Sequence, residues 1–247
     1  MPADERQQRS AHLTGAEWLD LLSSGEIEIE GRLPYSSNYS YLTTVSCEAT
    51  SGRAVYKPGK GERPLWDFGP NLYRREIATY ELSAAFSLGL VPETVLRHDA
   101  PLEAGSLQRF IDADFSAHYF TLIEEADHHA RLRELAGFDM LCNNADRKSG
   151  HVLVDGEGGI WGIDNGLSFH ADDKLRTVIW EFGGEAIPDV VMAACESIAN
   201  DGPPERVSPL IGETEQEALV RRALRMLKTR RLPLPRDDHR AYPWPLV

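Results

Sequence analysis

NNADRKSGHVLVDGEGGIWGIDNGLSF, residues 143–169, is the stretch on which the reading of this chain turns. It follows LRELAGFDMLCNN, whose apolar residues Leu132, Leu135, Phe138, Met140 and Leu141 recur at helical spacing. The polar run DRKSG interrupts that period. Two short apolar segments, HVLVD and IWGID, come next, joined by the glycine-rich Gly156-Glu157-Gly158-Gly159. That pattern predicts a β-hairpin after a helix. Asp146 falls in the loop before the hairpin, and Asp164 falls at the end of its second strand, before Asn165-Gly166. Such a hairpin brings both carboxylates to one end of the structure. Two acids with His151 close in sequence suit a magnesium ion that bridges phosphate oxygens. Taken singly, each acid has a plainer reading, because Asp caps helices and Asp-Asn-Gly is common turn material.

Upstream, the period is that of strands. Ile27 and Ile29 begin one, SSNYSYLTTVSCEA carries β-branched and aromatic residues, and RAVYKPG follows what reads as a turn at Ser51-Gly52. Before them, Leu13, Trp18, Leu21 and Leu22 predict a short helix over 12–25, with Thr14 and Glu17 as its capping box. Lys57 closes the run Ala54-Val55-Tyr56, where its ammonium can meet α- and β-phosphates as a point charge. A helix is predicted from about Tyr73 to Leu88, and Glu76, early in it, is placed to orient Lys57. VPETVLRH and GSLQRFI read as further strands, and residues 187–199 and 213–229 as the last helices. A phosphate-covering loop fits SSNYSYL, residues 36–42, whose hydroxyls and amides can bond anions. Neither G-x-x-x-x-G-K-[ST] nor G-x-G-x-x-G occurs, which removes the usual support for P-loop and dinucleotide folds.

Composition narrows the classes further. The 247 residues carry 26 basic and 39 acidic side chains, a formal net charge of −13, and 42% hydrophobic residues. Such a surface repels nucleic acid and anionic lipid. No apolar run approaches the roughly 20 residues of a membrane span, and the charged MPADERQQRS has no secretory h-region, so a cytoplasmic protein is expected. Cys47, Cys142 and Cys195 are isolated and give neither a disulfide framework nor a thiolate zinc site. One basic cluster, Arg221, Arg222, Arg225, Lys228, Arg230 and Arg231, reads as the polar side of a helix with Leu219, Leu224 and Leu227 on its apolar side. Its alternative is a partner or peripheral membrane contact. The proline-rich tail reads as extended and pinned by Tyr242 and Trp244.

Taken in order, SSNYSYL, VYKPG, Arg75-Glu76, GLVPETV, GSLQRFI, NNADR and GIDNGLSF resemble the phosphatidylinositol 3-/4-kinase superfamily. The likeness is greatest to its type II 4-kinase branch and the related small actinobacterial kinase-like family. That resemblance implies an α+β, protein-kinase-like fold with ATP between two lobes: a helix and an antiparallel-sheet N-lobe over 1–110, and a mainly helical C-lobe over 111–247. It implies that Ser36, Ser37, Asn38, Tyr39 and Ser40 cover the phosphates, Lys57 grips them and Glu76 supports Lys57. Gln108, Arg109, Phe110 and Ile111 become the adenine-side hinge, Asp146 the catalytic aspartate and Asp164 the metal-binding one. The second metal position, an Asn in the family, is His151 here, a donor less suited to magnesium than to manganese. The expected activity is transfer of the γ-phosphoryl group of ATP, with Mg2+ or Mn2+, to a hydroxyl on a protein or small molecule. Residues 170–186 hold only Lys174 and Arg176 as basic groups, which disfavours an inositol lipid there. A phosphatidylinositol kinase and a nucleotide-binding pseudokinase are the alternatives; Trp180 and Phe182 are expected to pack on the C-lobe helices.

Overall fold

The computed structural model describes residues 13–34, 38–235 and 241–246. The chain divides into two compact units, one running to Ile77 and including Pro92–Ile111, the other comprising Ala78–Val91 and everything from Asp112.

Five antiparallel strands make the sheet of the first unit: β1 (Glu26–Arg32), β2 (Tyr41–Cys47), β3 (Thr50–Pro58), β4 (Thr94–Arg97) and β5 (Gly105–Arg109). They lie in the order β1-β2-β3-β5-β4, with β3 central. Side chains alternate across β3, so Ala54 and Tyr56 enter the core while Lys57 stands on the other face. Helix α1 (Gly15–Ser24) closes the core side, bringing Trp18, Leu21 and Leu22 against Val45, Ala54, Tyr56 and Leu107. Its capping box is present: Thr14 N donates to Glu17 Oε2 at 2.8 Å and Glu17 N to Thr14 Oγ1 at 3.3 Å.

Two sequence expectations are corrected in this unit. The β2–β3 turn is not Ser51-Gly52, which pair with Ser46 and Val45 inside the ladder; the chain reverses at Glu48-Ala49, with Glu48 at φ 52°. Gly52 serves another need, since a Cβ there would lie 2.3 Å from Trp18 Cη2. Helix α2 (Leu72–Ala85) is shorter than predicted, because Ser87 and Gly89 take φ 53° and 58° and turn the chain before Leu90.

The second unit is mainly helical: α3 (Tyr119–Leu122), α4 (His129–Cys142), α5 (Asp189–Asp201) and α6 (Glu213–Thr229), with the hairpin β6 (Val152–Val154) and β7 (Ile160–Gly162) among them. The fold class is therefore α+β, an antiparallel sheet in one unit and helices in the other. Asp155 builds the hairpin turn by accepting from the amides of Glu157 and Gly159 at 2.9 and 2.7 Å. Phe182 is buried, under Arg133 and edge-on to His129, while Trp180 is half-buried and meets Tyr242 at 6.3 Å. Trp244, expected to pin the tail, is 88% exposed; the buried residues of that segment include Ala241 instead.

The basic face of α6 is smaller than its spacing promises. Arg222 is buried and donates to Leu141 O at 2.9 Å and His170 O at 3.1 Å, so it caps the C-terminal end of α4. Leu224 is 52% exposed, and the buried face is Ala218, Leu219, Arg222, Ala223 and Met226. No helix among the described residues is long and apolar enough to cross a membrane.

The packing at Gly52 is testable. Gly52→Ala forces Trp18 from its place and is expected to lower stability by about 1–3 kcal/mol in urea unfolding, whereas Gly31→Ala, with open space around it, stays within about 0.5 kcal/mol of the native chain.

Candidate functional site

In the first unit the side chain that matters is Lys57. Its strand is fixed on both sides, by Tyr41↔Tyr56 in β2 and by Lys57↔Ser106 in β5. At Gly105 a Cβ would come within 2.3 Å of Lys57 O, so β5 can approach only because that residue lacks one. Lys57 Nζ forms an ion pair with Glu76 Oε1, and the carboxylate side chain is only 4% exposed. This is the pairing the strand and helix spacing predict. A buried acid thus holds one ammonium in place without cancelling its reach, since the lysine remains 18% exposed.

Around it, the predicted nucleotide residues are met unevenly. Ser36 and Ser37 lie outside the described residues. Asn38 Oδ1 accepts from Arg63 N at 2.9 Å, Tyr39 N donates to Gly61 O at 3.0 Å, and Ser40 is buried with its carbonyl accepting from Leu33 N at 2.8 Å. Arg32 lies 4.1 Å above the Tyr39 ring. Gln108 turns inward and donates to Thr94 Oγ1 at 2.9 Å; Arg109 pairs with Glu93 at 2.8 Å, and Ile111 is buried. The amides of Arg109 and Phe110 donate to Glu93 O and Arg53 O, at 2.8 and 3.0 Å. Gln108 to Phe110 therefore spend these groups on the fold.

The second unit holds the acids. Helix α4 ends because Asn143 takes φ 57°, and its side chain gathers the later segment by donating to His170 O and Asp172 O and accepting from Lys174 N. Asn144 Oδ1 accepts from Asp146 N at 2.9 Å, fixing the loop residue itself. Next in sequence, Arg147 is wholly buried. Nε and Nη2 grip Asp139 at 2.8 and 2.9 Å, Nη1 donates to His151 O at 3.2 Å and Ile163 O at 2.6 Å, and Nη2 also reaches Asn165 Oδ1 at 2.6 Å. All five guanidinium N–H groups are satisfied.

On that frame Asp146 and Asp164 are brought together through His151. The imidazole Nδ1 lies 2.9 Å from Asp146 O, and Nε2 lies 3.2 Å from Asp164 Oδ2. Asp164 sits two residues beyond β7 rather than at its end, with φ 55° and a side chain 49% exposed. The left-handed residue of this turn is thus the acid itself and not Gly166. Lys148 Nζ stands 3.2 Å from Asp146 Oδ2. Burial pushes the Asp146 carboxyl up to about 6, against the pull of Lys148 and with a smaller push from Asp164.

No group of three or more His, Cys, Asp and Glu among the described residues forms a ready metal cage. Magnesium is commonly held by one or two carboxylates together with substrate phosphates. Asp164, half exposed, with Asp146 beside it fits that mode better than a resident ion.

Sequence reasoning missed Lys148, Asn144, Asn165 and the Asp139–Arg147 pair. A signal for the last existed: Asp139 stands alone in the apolar run GFDMLC, and an acid there needs a cation within reach.

Over 266 aligned positions the chain is 37% identical to Protein Rv2133c of Mycobacterium tuberculosis, with 91% of this chain and 94% of that protein covered. No family model matches it. Among solved structures, a Helicobacter pylori proinflammatory kinase, CtkA, is similar with a TM-score of 0.49 and 13% identity, over 85% of this chain and 94% of that one.

Two stability experiments probe the site. Removing one partner of the buried pair strands the other, so Asp139→Ala is expected to cost about 3–5 kcal/mol in urea unfolding. Asp146 behaves in the opposite way. Its folded pKa lies above the ordinary value, so the fold carries no penalty below about pH 4, an increasing one through about pH 6, and the full one above. Asp146→Asn is therefore expected to gain stability relative to the native chain as pH rises from 4 to 7, by about 1–3 kcal/mol; a flat difference across that range contradicts the assignment.

Proposed function

This chain belongs to the family of that mycobacterial protein, and we propose that it is an ATP-dependent phosphotransferase with Asp146, Asp164 and Lys57 as its working residues. The observation that carries the reading is His151, which joins the backbone of Asp146 to the carboxylate of Asp164 and so ties together the two segments that bear the acids, on the frame set by Arg147. The resemblance to the phosphatidylinositol 3-/4-kinase superfamily, stated from the motif order, supports the same assignment, as does the Lys57–Glu76 pair.

Each side chain then has a task in in-line transfer. Lys57 neutralises phosphate charge, and Glu76 fixes the direction of its ammonium. Asp146 orients the acceptor hydroxyl and takes its proton as the acceptor oxygen bonds to the γ-phosphorus and the bond to the β,γ-bridging oxygen breaks. Lys148, 3.2 Å from that carboxylate, favours its ionised form. Asp164 is the residue to hold Mg2+ or Mn2+, with His151 beside it. When bound, the metal supplies charge neutralisation on the phosphate oxygens. The acceptor is a hydroxyl on a protein or small molecule. A lipid acceptor has less support than the sequence offered, because Arg222 is buried and Arg225 is paired with Asp173 at 3.0 Å. A second reading, nucleotide binding without turnover, is favoured by one contact: His151 Nε2 already engages the Asp164 carboxylate.

Release of labelled phosphate from γ-labelled ATP, measured beside nucleotide binding, separates these. The native chain is expected to turn over with magnesium or manganese. Asp146→Asn is expected to lose about 10²–10⁴-fold in rate while still binding nucleotide. Activity of the native chain should fall as pH drops through about 6, where Asp146 takes up its proton. Asp164→Gly relieves the left-handed backbone, so it should abolish turnover with no loss of stability. Binding without turnover under either metal favours the second reading, and absence of binding removes both.

A further inference from the structure

A cavity of about 470 Å³ opens in the second unit, apart from Asp146 and Asp164 in its lining. Its walls combine three pieces of chain. Residues 231–234 run back along 183–186, where Gly184 N donates to Leu232 O at 3.0 Å and Leu232 N to Glu185 O at 2.9 Å. Met140 of α4 and the C-terminal part of α6 complete it.

Most of the surface is apolar, from Met140, Leu175, Leu232, Pro233 and Leu234, and its polar side chains are Asp173, Trp180, Arg225, Thr229 and Arg231. Trp180 lines the cavity, and its buried Nε1–H has no acceptor among the described residues. Arg231 uses Nη1 on Gly184 O at 2.8 Å, which leaves guanidinium N–H groups beyond that bond. Arg225 is balanced by Asp173 at 3.0 Å. The lining charge is thus two arginines against one aspartate, a local excess of +1 in a chain of net charge −13.

We propose that this cavity binds a small amphipathic carboxylate, its apolar body against Leu175, Leu232 and Pro233 and its carboxylate meeting Arg231. The volume lies in the range of small-molecule sites. Pairing with Arg231 adds a charge-assisted bond. The site stands on the cavity and its donors, and does not depend on phosphoryl transfer.

Titration calorimetry of the full chain with dodecanoate tests it, with dodecanol as the uncharged control. Saturable binding of dodecanoate, at least about tenfold tighter than dodecanol, is expected. Arg231→Gln should remove about tenfold of that affinity, and Leu175→Trp should block the cavity. Thermal unfolding of each variant establishes that it is folded. Equal affinity for dodecanol, binding indifferent to Arg231→Gln and Leu175→Trp in folded variants, or no binding at millimolar dodecanoate overturns the proposal. Since the readout is binding without nucleotide, none of these results bears on the phosphotransferase reading.

Discussion

The guanidinium of Arg147 is the point on which the second unit depends. It is fully buried, yet its N–H groups reach Asp139 in α4, the carbonyls of His151 and Ile163, and the amide of Asn165. Those partners belong to the helix before the hairpin and to the segments entering and leaving it. One planar cation therefore sets their spacing at once. Buried ion pairs are often poor stabilisers against an apolar alternative, because desolvation consumes the Coulombic gain. Here the pair supplies geometry. An apolar residue of similar volume could fill the space but could not fix where Asp146 and Asp164 stand.

Backbone conformation carries the rest of that task. Asn143, Asp164 and Phe169 all take positive φ, and all lie in the stretch that forms the site. Asn and Asp accept the left-handed region more readily than other residues with a Cβ, whereas a buried phenylalanine there is strained and needs its surroundings to hold it. Phe169 N donates to Cys142 O at 2.6 Å and Ala145 N to Leu167 O at 2.8 Å, so the ladder between the two loops supplies that hold. Arg222 adds to it from α6, joining the end of α4 to His170.

How much of this was legible in the sequence follows from the range of each interaction. The Lys57–Glu76 pair could be read because strand alternation and helix phase each place one partner, and the hairpin because its strands and turn are adjacent. The Ser51-Gly52 turn was misread since a glycine required by a tryptophan ring 34 positions earlier looks the same as a turn glycine. Arg222 was misread for a similar reason: helical spacing shows a residue's direction on its own helix but not what packs there. The cavity beside Trp180 leaves no short pattern, as its walls come from three separated segments. Left-handed Asp164 was hidden by Gly166, the residue that usually takes such an angle.

Asp146 also bears on how this protein changes over generations. Its carboxyl is ionised in a setting that resists ionisation, so the folded chain would be more secure with an amide there. Random substitution under selection for stability alone drifts toward that exchange, and under the phosphotransferase proposal selection for proton transfer opposes it. A descendant released from catalysis has a downhill path of a single substitution to a more stable and silent form. Members of the family with an uncharged residue at this position would then be expected to be the sturdier proteins.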